Sequence, residues 1–171
     1  MEEEKALLNE VASEDYDFAD RPLDFTGEVG ATALICEPDP AVRKRIGDGL
    51  KELAYKITTP ATAKDALKDM RFHIFDVVVL NELFDTKDPK ANAILSSLEN
   101  MAMSTRRRFF VALVSGTYRT MDKMAAFNRS VNIVINIQSI DNVAKIIKQG
   151  VADNRAFYHI FQETLQKMGK V

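Results

Sequence analysis

Cysteine is almost missing from this sequence: Cys36 is the only one among 171 residues. An internal disulfide is excluded, and so is a metal site built from clustered thiolates. Histidine is nearly as scarce. His73 and His159 stand far apart without companion ligands, so no metal site is expected. No apolar run approaches the roughly 18 residues that a membrane-spanning helix needs. The chain starts Met1-Glu-Glu-Glu, whereas a signal peptide starts basic. A cytoplasmic location away from membranes is therefore the expectation. The few glycines build no phosphate-cradling loop, because Gly47 and Gly49 fall inside a helical pattern. No Ser-His-acid order stands out. Neither an enzymatic activity nor a cofactor is expected.

Charge is small in sum and uneven in place. The net charge is −2, yet residues 1–30 carry ten acids and two bases, and the remainder carries 15 acids and 21 bases. An acidic leader or linker over residues 1–30, largely irregular, thus precedes a mildly basic domain over 31–171. Ala6, Leu7, Leu8 and Val11 suggest a short helix between Glu2 and Glu14. Beyond it, acids mix with Tyr16, Phe18, Leu23 and Phe25. The leader reads either as a solvated tether or as an arm that folds back on the domain. It also has the look of an interdomain linker, as in a piece of a longer chain.

From Ala31 onward, short apolar runs alternate with helical patterns. Residues 33–36 read as a strand that ends at Glu37-Pro-Asp-Pro40, with Asp39 capping the next helix and Pro40 at its first position. Val42, Ile46, Leu50 and Leu53 continue at helical spacing. A second strand is expected over 55–59 and a helix over 62–71. Phe75-Asp-Val-Val-Val-Leu80 is the strongest strand signal, apolar after Asp76 as a strand covered on both faces must be. A helix over 92–103 follows, then a strand over 109–114, a helix over 120–127, a strand over 133–135, and a long last helix capped by Ser139 or Asp141. This βα rhythm predicts a doubly wound, flavodoxin-like α/β domain. Its five-stranded parallel sheet has order 2-1-3-4-5, and the C-terminal helix is extended. In such sheets function gathers at the carboxyl ends of the strands, here Glu37, Asn81, Ser115 and Asn136.

Those strand ends resemble a known family. Leu34-Ile-Cys-Glu-Pro-Asp-Pro-Ala-Val-Arg43, Phe75-Asp-Val-Val-Val-Leu-Asn81, Ala112-Leu-Val-Ser-Gly116 and Val131-Asn-Ile-Val-Ile-Asn136 are similar, in order and spacing, to the motifs of response-regulator receiver (CheY-like) domains. The resemblance covers about residues 31–150. It implies bacterial signal transduction of the two-component type, and a phospho-accepting Asp where Asn81 stands. It also implies a second metal-binding acid where Pro38 stands, a lysine where Asn136 stands and an aromatic switch residue where Ile133 stands. Glu37 and Ser115 keep family-like groups. An amide is a poor nucleophile, and loss of carboxylates weakens oxygen ligation of Mg²⁺. The resemblance therefore implies a degenerate receiver pocket at Glu37, Pro38, Asn81, Ser115 and Asn136. The function it implies is protein–protein interaction without phosphorylation.

Each of these residues also has a plain structural reading. Ser115 can cap a strand end, Glu37 can be a solvated loop acid, and Asn81 and Asn136 can either bond across the pocket or face solvent. Cys36 reads as strand filler. A nucleic-acid-binding, small-ligand or enzymatic domain on the same scaffold is the alternative function. The run Arg106-Arg107-Arg108 is its main support, yet it lacks further basic residues on an obvious shared face. The last helix carries Phe157, Phe161 and Leu165 at i, i+4 and i+8. These predict an apolar stripe for a protein partner, a homodimer or an intramolecular cover from Phe18 or Phe25, with a break near Asp153 and Asn154 as the alternative.

Overall fold

The computed structural model describes residues 30–169. The expectations for the acidic leader therefore lie outside the described residues, apart from Gly30. Five strands form one parallel sheet in the order 2-1-3-4-5, as the alternating pattern requires. They are β1 (Thr32–Cys36), β2 (Lys56–Thr58), β3 (Val77–Asn81), β4 (Phe110–Ser115) and β5 (Ile133–Asn136). The helices are α1 (Pro40–Glu52), α2 (Ala63–Phe72), α3 (Ala93–Asn100), α4 (Met103–Arg106), α5 (Lys123–Asn128) and α6 (Val143–Lys167).

Alternation along the strands separates two cores. Leu34, Cys36, Val78, Leu80, Val111, Leu113 and Val134 face α2, α3 and α5. Ala33, Ile35, Val77, Val79, Ala112, Val114 and Ile135 face α1 and α6. Both sets are apolar, which is the reason the central strands read as continuous hydrophobic runs instead of an alternation. Cys36 is buried within the first of these cores. Burial pushes its thiol far above the ordinary range, so it stays un-ionised and inert.

Capping residues set the helix starts. Asp39 Oδ1 accepts from the N–H groups of Ala41 (2.7 Å) and Val42 (3.1 Å), with Pro40 next in line. Thr62, Asn92 and Asp122 cap α2, α3 and α5 in the same way. The last helix departs from the expected cap. Residues Ile137–Asn142 form a 3-10 turn that runs directly into α6. That turn supplies the backbone geometry a cap would otherwise impose, and Asp141 instead reaches Arg45 at 3.3 Å. The helix expected over 92–103 divides into α3 and α4, with Met101 in extended conformation between them.

The sequence has only 7 glycines, and two of them are spent on close packing. A Cβ on Gly49 of α1 would lie 2.8 Å from Val143 Cγ1 and 3.4 Å from the Ala144 backbone nitrogen. A Cβ on Gly150 of α6 would lie 2.8 Å from Phe110 Cζ. These two positions let α6 sit down on α1 and on the sheet. Left-handed turns, meanwhile, are taken by Ala54, Asp85, Met121 and Ser130, all with φ between 54° and 63°.

A graded response to alanine follows. Gly47, also buried in α1, has nothing nearer than 3.9 Å to an added Cβ. Gly47→Ala should raise stability by up to about 1 kcal/mol through helix propensity. Gly49→Ala and Gly150→Ala should each lower it by about 1–2 kcal/mol, because overpacking outweighs the same propensity gain. Urea unfolding of the three variants measures the difference, and equal shifts at all three positions would contradict this packing.

Candidate functional site

The carboxyl ends of β1, β3 and β4 bring Glu37, Asn81 and Ser115 to one edge of the sheet. All three are buried. Polar groups in that position need internal partners, and each of the three has them. Asn81 Nδ2 donates to Glu37 Oε2 at 2.8 Å. The other oxygen, Glu37 Oε1, accepts from the N–H of Asp39 at 3.0 Å. Asn81 Oδ1 accepts from the N–H of Leu83 at 2.8 Å. Chemistry decides the orientation of this amide: reversing it would set oxygen against the Glu37 carboxylate and NH₂ against a backbone N–H.

Burial raises the Glu37 pKa, and the donors from Asn81 and Asp39 oppose that shift. A carboxyl whose folded pKa lies above its unfolded value helps the fold most at low pH. Its contribution falls as pH rises through the raised value. The amide is thus a neutral substitute for a counter-charge, holding a buried carboxylate by a charge-assisted hydrogen bond.

Two residues complete the site that the sequence reading did not single out. Glu82, buried directly after Asn81, accepts from Ser115 Oγ at 2.8 Å and from the N–H of Gly116 at 3.1 Å through the same oxygen. The Ser115 hydroxyl also accepts from the N–H of Thr117 at 3.0 Å. Asn92, 2% exposed, caps α3 with its oxygen and donates its Nδ2 to the carbonyls of Asn81 and Glu82. Position alone was a signal for Glu82, since it continues the β3–β4 ladder by donating its N–H to the Val114 carbonyl. Asn92 carried the ordinary signature of a helix cap and nothing more.

Asn136 stays apart from this cluster. Its Nδ2 donates to the Tyr118 carbonyl at 2.7 Å and its Oδ1 accepts from the N–H of Gln138. It pins two loops together and makes no bond to Asn81. Pro38 is exposed and contributes no ligand. Ile133 is buried against α6, 3.3 Å from an added Gly150 Cβ, where a mobile aromatic would have no room beside the helix.

A divalent cation does not fit this set of donors. Mg²⁺ asks for several oxygens in near-octahedral array at about 2.0–2.1 Å. Here both Glu37 oxygens already accept N–H groups, the Asn81 group nearest Glu37 is a donor, and Asp39 is turned to cap α1. Among the described residues, no three His, Cys, Asp or Glu side chains converge to hold a metal. Nor is any described helix long and apolar enough to cross a membrane.

No protein-family model matches the chain, and no curated protein matches its sequence. Solved structures do match. The Francisella response regulator 1452 receiver domain superposes with a TM-score of 0.57 at 15% identity, covering 72% of this chain and 98% of that one. A CheY-like receiver domain protein from Methanospirillum hungatei gives 0.56 at 18% identity, over 74% and 97%. NtrX from Brucella abortus, solved with ADP, gives 0.61 at 15% identity, over 82% of this chain and 30% of that longer one. The fold is therefore that of receiver domains, with the flavodoxin-like strand order expected.

Replacing the amide by an acid tests the site. Two carboxylates about 4 Å apart repel by roughly 4 kcal/mol at an effective dielectric near 20. Asn81→Asp should lower stability by about 2–4 kcal/mol near pH 8. Most of the loss should return toward about pH 5, because both folded-state pKa values are raised and stability is lost as pH climbs through them. Denaturant melts across that range read the effect, and an equal loss at every pH would mean the two side chains simply swing apart.

Proposed function

We propose that this chain is a receiver-fold module of bacterial signal transduction or regulation that works by binding protein and performs no phosphoryl transfer. The observation that carries the reading is the direct Asn81–Glu37 bond at 2.8 Å. At that place a phosphoryl-accepting site needs a free carboxylate and a cation. An amide oxygen already bonded to Leu83 has neither the charge nor the open lone-pair geometry to attack phosphorus. Ser115, the remaining hydroxyl at the edge, is held by Glu82 and Thr117. The end of β5 offers no cation for an incoming phosphoryl group, since Asn136 occupies it and bonds to Tyr118.

Support for binding comes from the surface of α5 and α6. Met124 and Phe127 on α5 are 68% and 79% exposed, and Phe157 on α6 is 80% exposed. A hollow of about 290 Å³ lies between these helices, lined in part by Met121, Ala126 and Phe157. An exposed ring at the hollow and exposed apolar side chains on the neighbouring helix suit a protein partner, a second copy of the chain included.

Intact mass after treatment with acetyl phosphate and Mg²⁺ is the decisive measurement. Wild type should gain no acid-labile phosphate. Asn81→Asp should also stay essentially unlabelled, because Pro38 and Asn136 remain. Labelling of wild type would overturn the reading.

The surface has its own test. Phe127→Glu with Phe157→Glu should leave the melting temperature within about 2 °C of wild type, since both rings are exposed already. It should also shift sedimentation from dimer to monomer if a second copy covers the patch.

A further inference from the structure

The amino ends of the strands carry a second feature, unrelated to the pocket above. The unbroken helix α6 runs past the sheet, and with the turn between α4 and β4 it encloses a groove of about 670 Å³. Each step of four residues turns a helix by about 40° beyond a full circle. The expected stripe therefore divides: Phe157 lies beside α5, while Phe161 and Leu165 join Tyr158 on the floor of this groove. The arginine run divides too. Arg106 is structural, donating to the carbonyls of Phe109 and Ser130 and to Asn132 Oδ1, with its pKa lowered by burial. Arg107 lies 4.7 Å above the Phe161 ring, and Arg108 and Arg155 line the same groove. No carboxylate among the described residues pairs with these last three. The one acid lining the groove, Asp76, is engaged by the Thr32 N–H at 2.7 Å.

That bond also places the start of β1. The acidic segment joins the domain at Gly30, two residues before Thr32, whose N–H bonds to the groove-lining Asp76. Within it, Asp15-Tyr-Asp-Phe-Ala-Asp20 interleaves acids with aromatic rings. This composition complements an arginine rim over an aromatic and aliphatic floor. Ten residues of extended chain span at most about 33–36 Å, while the groove from Val151 to Gln166 is about 22 Å long, so the tether reaches. We propose that this groove is a docking site for an acidic, aromatic-bearing peptide, and that residues 15–20 of the same chain occupy it in cis. Attachment keeps the peptide at a high effective concentration, so any other protein using the groove must displace it.

The test uses the full chain. Because Cys36 is buried, Ala19→Cys accepts a nitroxide label selectively. Docking predicts strong relaxation of the amides of Arg107, Arg155, Tyr158 and Phe161, independent of protein concentration. The effect should weaken severalfold between about 0.1 M and 1 M salt, as the screening length drops from about 10 Å to 3 Å. Arg107→Glu with Arg108→Glu should abolish the relaxation, and adding Asp15→Arg with Asp17→Arg should restore it. The salt titration on wild type stands even if an arginine variant folds poorly. Three results would overturn the proposal. One is weak relaxation spread evenly over the surface. Another is relaxation seen only when labelled and isotope-enriched copies are mixed, which is contact between chains. The third is a single-stranded oligonucleotide that shifts the same groove amides with the arm left in place, which would make the groove a nucleic-acid site.

Discussion

A parallel sheet covered by helices on both faces has room for apolar side chains almost only, so its polar groups collect at its two ends. Every other feature of this molecule follows from that constraint. Val77, Val78, Val79 and Leu80 are fully buried in the middle of the sheet, and the residue that closes their strand is Asn81. At this end a carboxylate and an amide meet with no solvent to satisfy them, and the bond between Asn81 and Glu37 is how the edge closes. Glu82 and Asn92, recruited by the next turn of chain, seal the rest of it. The side chains of this edge bond to one another and to the surrounding backbone, and a network of that kind favours a single arrangement.

Open α/β sheets in general bind their ligands at that carboxyl edge. Here the same backbone holds a substitute: where opposite charge would otherwise offset a buried carboxylate, N–H donors do so. A neutral donor costs less to bury than a cation. The strand ends are set by ladder pairing and by the two cores, so the backbone holds its course whichever polar residues close the strands.

The opposite edge is open where this one is closed. There the separation of charge along the chain becomes a separation in space, with arginines of the α4–β4 turn and of α6 gathered around aromatic side chains. An acidic segment joins the domain beside them. The length of α6 makes this possible: a helix ending with the sheet would leave the turn facing solvent. Its close seating depends in turn on Gly49 and Gly150, where any side chain would push the helix off its bed.

Fold class and strand order were legible in the sequence because they rest on local signals. Continuous apolar runs mark strands covered on both faces, and Asp39, Thr62 and Asn92 mark helix starts through hydrogen bonds that span only two or three residues. The place of Asn81 at the carboxyl end of β3 was legible for the same reason: it is a matter of position within a strand. Long-range geometry was not. That Asn81 bonds to Glu37 while Asn136 turns away to Tyr118 depends on loop paths from separate crossovers. Glu82 lies just past the apolar run of β3, and only the β3–β4 ladder carries it inside. The sequence placed Phe157, Phe161 and Leu165 on one helical face and ran three arginines together. Only packing distributed the first set between two surfaces and the second between a buried anchor and a groove. A helix rotates about 40° over four residues, and a side chain's neighbours come from whichever distant element the chain folds beside it.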